Sequence, residues 1–232
     1  MKRALFLSQC LRGAAALLTA GLLAGTAHAN LLLTEVQSDQ ATAGRNDYWE
    51  LTNTGSEAVS LGNWKWDDDS RNPADAAAVT IPAGTSIAPG ESIIFTALPA
   101  ATFRSWWGIG GSVQVISTGA APGLGSGDGI GLFNSSGTEV FFFSYAANGF
   151  TRSNGSASTG GHAGLSSGGT ASTQALVLDP TFGTASPRYT AATVGKFKAF
   201  ASAGSAADIG SPGVSGLVRE VDLSMYVRVG RY

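Results

Sequence analysis

The sequence predicts an all-β domain built as an antiparallel sandwich. Three observations predict it. Short runs rich in β-branched and aromatic residues recur along the chain, they are separated by Gly/Pro/Asn/Asp turn clusters, and helical periodicity is nearly absent. The strands are expected at Leu31 to Gln37, Tyr48 to Asn53, Asn63 to Asp67, Ala78 to Ile81, Ser92 to Ala97, Val113 to Ser117, Ile130 to Phe133, Glu139 to Tyr145 and Lys196 to Ala201.

The first run is apolar and ends through Glu35. In the second, alternation puts Trp49 and Leu51 on one face and Tyr48, Glu50 and Thr52 on the other. Asn53-Thr54-Gly55 then supplies turn chemistry, and Trp64 and Trp66 share a face in the third run. Ala88-Pro89-Gly90-Glu91 has the fixed φ of Pro and the positive φ of Gly that a type II turn requires, so Ser92 opens a new strand. After Pro99, the aromatic residues Phe103, Trp106 and Trp107 sit at i, i+3 and i+4. That spacing predicts a single helical turn capping the core over Ala100 to Trp107. Ser135-Ser136-Gly137 turns the chain between the two strands that follow. Phe141, Phe142 and Phe143 cannot all face inward on one strand.

From Ala146 to Thr173 the composition is Gly, Ser, Thr and Ala. Few apolar groups there offset about 1–2 kcal/mol of backbone ordering entropy per residue, so a long loop inside the domain is expected. Beyond it, Leu217 to Tyr232 alternates with period two, as an edge strand or an extension pairing with another domain or chain does. One such strand cannot close a membrane barrel.

Lys2, Arg3 and Arg12 precede the apolar run Ala14 to Ala24, and Ala27-His28-Ala29 follows it. This is the pattern of a secretory leader, expected to occupy residues 1–29 with cleavage after Ala29, and it implies a secreted or periplasmic product. No later segment is apolar for long enough to span a bilayer as a helix. Cleavage removes Cys10, the only cysteine, and with it disulfides, thiolate metal sites and thiol nucleophiles. It also removes three of the 14 basic residues and none of the 16 acids, leaving a net charge of −5. Nucleic acid binding needs a clustered positive face, so no nucleic acid partner is expected.

Few residues carry recognisable chemistry. His162, the only imidazole after cleavage, lies in the Gly/Ser loop without an orienting partner, and one His with no Cys cannot build a usual zinc site. Asp67, Asp68 and Asp69, with Asp75, form the densest carboxylate cluster. Oxygen ligands of this kind suit Ca²⁺ or a metal-dependent hydrolase, and a glycosidase acid/base pair would need in addition a second carboxylate about 5–10 Å away across a cleft. Against that, the EF-hand spacing is missing, and neighbours on a strand end point in opposite directions, so a solvated strand end is the expectation and no catalytic, cofactor or metal residue is assigned. Trp49 and Trp64 are expected in the core. Trp66, Trp106 and Trp107 stay open between core and a sugar-stacking face. Gly125-Ser126-Gly127-Asp128-Gly129 lacks the Lys and helix of a phosphate loop and reads as a turn.

Taken in order, Glu35, Trp49-Glu50-Leu51-Thr52-Asn53-Thr54-Gly55, Leu61-Gly62-Asn63-Trp64, Pro89-Gly90, Gly127-Asp128 and Ser211-Pro212-Gly213 resemble the lamin-tail domain family, in the type found in bacterial secreted proteins. The resemblance implies an immunoglobulin-like β-sandwich over residues 30–213, followed by the extension 214–232. It implies no catalytic residues, and no cofactor is expected; Glu50, Asn53 and Asp128 are read as serving strand-end and turn hydrogen bonds. It further implies a non-enzymatic binding, surface-association or accessory module whose partner is a protein or a cell-surface glycan. A metal-dependent hydrolase using Asp67 to Asp69 and a carbohydrate-binding module are the alternatives.

Overall fold

The computed structural model describes residues 31–38, 47–119, 123–124, 128–144, 174–182 and 189–214. The expected leader, His162, the Gly/Ser-rich segment 146–173 and the tail 217–232 lie outside the described residues.

The described elements are β1 (Leu31–Gln37), β2 (Tyr48–Asn53), β3 (Val59–Ser60), β4 (Lys65–Asp67), β5 (Val79–Thr80), β6 (Ser86–Ile87), β7 (Ser92–Thr96), α1 (Ala100–Trp107), β8 (Gln114–Ser117), β9 (Gly129–Phe133), β10 (Glu139–Ser144), β11 (Leu176–Leu178), β12 (Tyr189–Ala191), β13 (Phe200–Ala201) and β14 (Ile209–Gly210). A six-stranded sheet runs β12-β11-β1-β2-β7-β8 and a four-stranded sheet runs β10-β9-β4-β5, with β3-β6 and β13-β14 as separate pairs. The arrangement is the expected immunoglobulin-like sandwich. Its strand pairs are antiparallel except β7 with β8, which are parallel. A parallel pair needs a crossover, and α1 supplies it.

The helix has eight residues, two turns instead of the expected one. Pro99 precedes it, and Gly108 ends it in the left-handed region at φ 68°. The strand at Asn63 starts later than expected because Asn63 itself is left-handed at φ 64° and Trp64 N–H bonds back to the Leu61 carbonyl. For the same reason Phe197 and Lys198, at φ 48° and 64°, cut the expected strand Lys196 to Ala201 down to β13.

Two cores flank the larger sheet. Between the sheets, Leu33, Trp49, Leu51 and Phe95 meet Trp66, Ile130, Leu132 and Phe143. On the opposite face of the six-stranded sheet, Tyr48, Ile94 and Val177 pack against Phe103 and Trp107 of α1. Every residue of β2 is therefore buried, and the alternation expected for Trp49 and Tyr48 separates two cores instead of core from solvent. Trp49 stacks on Phe95 with centroids 4.2 Å apart and meets Trp66 edge-on at 5.4 Å.

Trp64 departs from expectation. It is half-buried against the margin of the inter-sheet core, while Trp66 takes the interior place at 2 % exposure. The turn at Asn63 leaves Trp64 outside β4, so strand alternation does not carry it inward. Phe143 is buried, Phe141 packs at the core margin, and the Arg71 guanidinium sits 5.2 Å over the Phe142 ring.

Candidate functional site

A bulge in β1 builds the most unusual polar site. Leu33 pairs with Leu51, yet Glu35 pairs with Glu50, so Thr34 is the extra residue. The bulge turns Glu35 onto the face that carries Tyr48 and Glu50, beneath α1. Both glutamates are 0 % exposed.

Their oxygens are matched to specific donors. Glu35 Oε1 accepts the Tyr48 hydroxyl at 2.6 Å and the Ser211 N–H at 2.7 Å, and Oε2 lies 2.8 Å from Ser211 Oγ. Glu50 Oε1 accepts the Thr34 hydroxyl at 2.6 Å, and Oε2 accepts the Gly213 N–H at 2.5 Å. Thr34, Thr52 and Ser92 extend a hydroxyl ladder beside Glu50, with oxygen separations of 2.8 and 2.6 Å. Gly210 makes room for this arrangement, since a Cβ there would meet Tyr48 Oη and Glu35 Oε1.

Burial, followed by the charge of Glu50, pushes the Glu35 carboxyl up to about 8, against the opposing effect of its Tyr48 and Ser211 donors. Burial also raises Glu50, opposed by Thr34 and the Gly213 N–H. The Tyr48 phenol is driven well above its ordinary range, first by burial and then by Glu35. The Ser211 hydroxyl donates to Glu35 Oε2, so three donors converge on this one buried carboxyl.

A second acidic site lies where β4 ends. Asp67 is the last residue of that strand and the chain bends at Asp68 and Asp69, so the three carboxylates converge: one oxygen from each lies within 4.8 Å of the others. Asp67 is fully buried, Asp68 is 9 % exposed and Asp69 is half-buried. This corrects the expectation of a solvated strand end with diverging side chains. The alternation argument assumed an extended backbone through Asp69. Burial raises the Asp67 carboxyl, and burial followed by Asp128, Asp67 and Asp69 pushes Asp68 up to about 8.

A third feature is a shallow depression of about 540 Å³ lined by Ala101, Thr102, Ser105, Trp106, Ala203 and Gly204. Trp106 is half-buried there, with its Nε1 donating to Asp208 at 3.1 Å. Gly204 is packed so closely against the indole that a Cβ could not be accommodated. Trp107, by contrast, is buried against Tyr48, with centroids 5.5 Å apart.

The sequence profile of the Lamin Tail Domain matches residues 24–147, more than half of the 232-residue chain. The protein belongs to the lamin tail domain family. No curated protein matches the chain.

In this lamin tail domain, the strands beyond the matched segment complete the same sheet, because β11 pairs with β1 through Glu35 and Val177. Of the residues expected to serve turns, Asn53 does so: its Oδ1 accepts the Gly55 N–H at 2.9 Å and its Nδ2 donates to the Glu57 and Ile87 carbonyls at 2.7 and 3.1 Å. Asp128 precedes β9 and is half-buried; Gly125 to Gly127 lie outside the described residues. Glu50 differs from its expected role, being a buried acid in mid-sheet that grips the C-terminal segment. Glu35 entered the sequence reading only as part of a motif. The available signal was an acid placed between Leu33 and Val36 of a largely apolar strand, with an acid also in the neighbouring one. Among the described residues no helix is long and apolar enough to cross a membrane.

Proposed function

We propose that this lamin tail domain is an exported, non-catalytic module for binding or surface association. The observation that carries the reading is the commitment of Glu35 and Glu50. Both acids are buried at 0 % exposure and hold Ser211 and Gly213, so these carboxyl groups are committed to closing the fold and are shielded from any substrate. The leader pattern of residues 1–29 supports export.

The test expresses the full chain in a bacterial host. The expected product starts at Asn30, appears in the periplasm or medium, co-sediments with cell envelopes, and turns over no phosphomonoester, phosphodiester, nucleic acid or glycoside. Turnover abolished by Asp67→Asn with Asp69→Asn would replace this reading with a metal-dependent hydrolase. An uncleaved cytoplasmic product would remove the export claim.

The Trp106 depression favours a second reading, a carbohydrate-binding module. Its indole is fixed by Asp208 and Gly204, and a pre-oriented aromatic ring binds a sugar face at low entropic cost. Glycan titration then quenches indole fluorescence in the wild type and not in Trp106→Ala. A flat titration across a broad glycan set discards this reading.

A further inference from the structure

We propose that the bend after β4 is a Ca²⁺ site, with Asp67, Asp68 and Asp69 each supplying a carboxylate oxygen. The three oxygens lie within 4.8 Å of one another. Ca²⁺ sits about 2.3–2.6 Å from its oxygen ligands and so bridges oxygens up to about 5 Å apart, whereas Mg²⁺ at about 2.0–2.1 Å spans only about 4 Å. A cluster held within 4.8 Å falls inside the span of a Ca²⁺ shell.

The hydrogen bonding of Asp67 points to the same ligand independently. Ser70 Oγ donates to Asp67 Oδ2, while Oδ1 of this fully buried residue has no hydrogen-bond partner. That oxygen belongs to the carboxylate that meets Asp68 and Asp69. A buried carboxylate oxygen with no donor is costly, and a coordinated cation removes the cost. No basic side chain takes that place among the described residues. Lys65 Nζ donates to the Pro73 carbonyl at 2.8 Å, and Arg71 pairs with Glu139. Asp69 is half-buried, which leaves one side open for the waters that fill a Ca²⁺ shell.

The ion has a structural task at this position. The Asp68 carbonyl accepts the Gly129 N–H at 2.8 Å, so holding the bend also holds the start of β9 against β4. This goes beyond the binding-module reading and stands without it.

The experiment uses the purified chain stripped with EDTA. Tb³⁺ is the first probe, since Trp66 is adjacent in sequence and sensitises its luminescence; Ca²⁺ then displaces it. Calorimetry is expected to give one Ca²⁺ per chain, with a dissociation constant at or below about 1 mM and weaker Mg²⁺ binding. A saturating Ca²⁺ concentration raises the melting temperature by roughly 5 °C. Asp67→Asn with Asp69→Asn removes both responses while keeping the wild-type circular-dichroism spectrum. Asp69→Asn alone, at the half-buried ligand, weakens Ca²⁺ about tenfold or more and covers the case in which the double variant does not fold. The proposal fails if wild type shows neither Tb³⁺ luminescence nor a melting shift at about 10 mM Ca²⁺, or if Asp69→Asn responds to Ca²⁺ as wild type does.

Discussion

Glu35 and Ser211, 176 positions apart in sequence, are joined by a 2.7 Å bond from the Ser211 N–H and a 2.8 Å contact with its hydroxyl. The same carboxyl receives Tyr48, so replacing it with a methyl group leaves three donors unanswered, the Tyr48 hydroxyl and the N–H and hydroxyl of Ser211, and opens a cavity. Glu35→Ala is expected to cost about 3 kcal/mol or more in urea denaturation at pH 6. Glu35→Gln retains the acceptor for Tyr48 and the Ser211 N–H and is expected to stay within about 1 kcal/mol. Equal losses in the two variants would contradict the assignment.

Stability should fall as pH rises through the range in which Glu35 loses its proton. Its carboxyl titrates near 4.5 when unperturbed and at about 8 in the fold, so between those values the native state binds more protons than the unfolded one. The stabilisation is complete below about 4.5 and lost through about 8. Glu50 and Tyr48 on β2 share the site, and Asp208 acts on Tyr48 from the C-terminal segment. The difference between wild type and Glu35→Gln isolates Glu35. Glu35→Gln is expected to gain on wild type between pH 5 and pH 8.5 by a few kcal/mol. A constant difference across that range would contradict the protonated state.

Gly210→Ala tests the tightness of the same junction. A methyl group there meets Tyr48 Oη and Glu35 Oε1, with the Trp107 ring at 3.1 Å. Overpacking of this kind costs about 1–3 kcal/mol. Chemical denaturation reads the loss, and the loss is expected to shrink when Glu35→Ala has already removed the obstructing oxygen.

Trp49→Ala and Arg71→Ala mark the two ends of the energetic scale. Trp49 is fully buried between Phe95 and Trp66, and its truncation is expected to cost about 3–5 kcal/mol. Arg71 pairs with Glu139 near the surface, the side chains being 39 % and 28 % exposed. Its removal is expected to cost under about 1 kcal/mol, and less at high salt. Melting curves of the two variants check the ordering.

The parts of the fold legible in the sequence are those written locally. β1 and β2 are bounded by turn chemistry and filled with aliphatic and aromatic residues, and both match their expected limits. β3, β6 and β14 are two-residue strands with no period to detect, and β11 follows a long Gly/Ser-rich stretch that masks its Leu-Val-Leu run. Trp64 falls short of its expected core place because one left-handed residue, Asn63, delays the strand, and Trp66, left open by the sequence, is the one that enters the core. The convergence of Asp67 to Asp69 depends on a bend, and the pairing of Glu35 with Ser211 depends on the whole topology. Neither is encoded in spacing.

The grip of Glu50 on Gly213 spans 163 residues and sets a schedule for the nascent polypeptide. At ribosomal speeds of about 5–20 residues per second, roughly 8–30 s separate the emergence of the acid from that of its amide client. Throughout that interval the two acids of the opening hairpin stay solvated by water, because burying them without their partners is costly. The first hairpin cannot bury Glu50 with its partner until residue 213 is present, so closure of the sandwich waits on that segment.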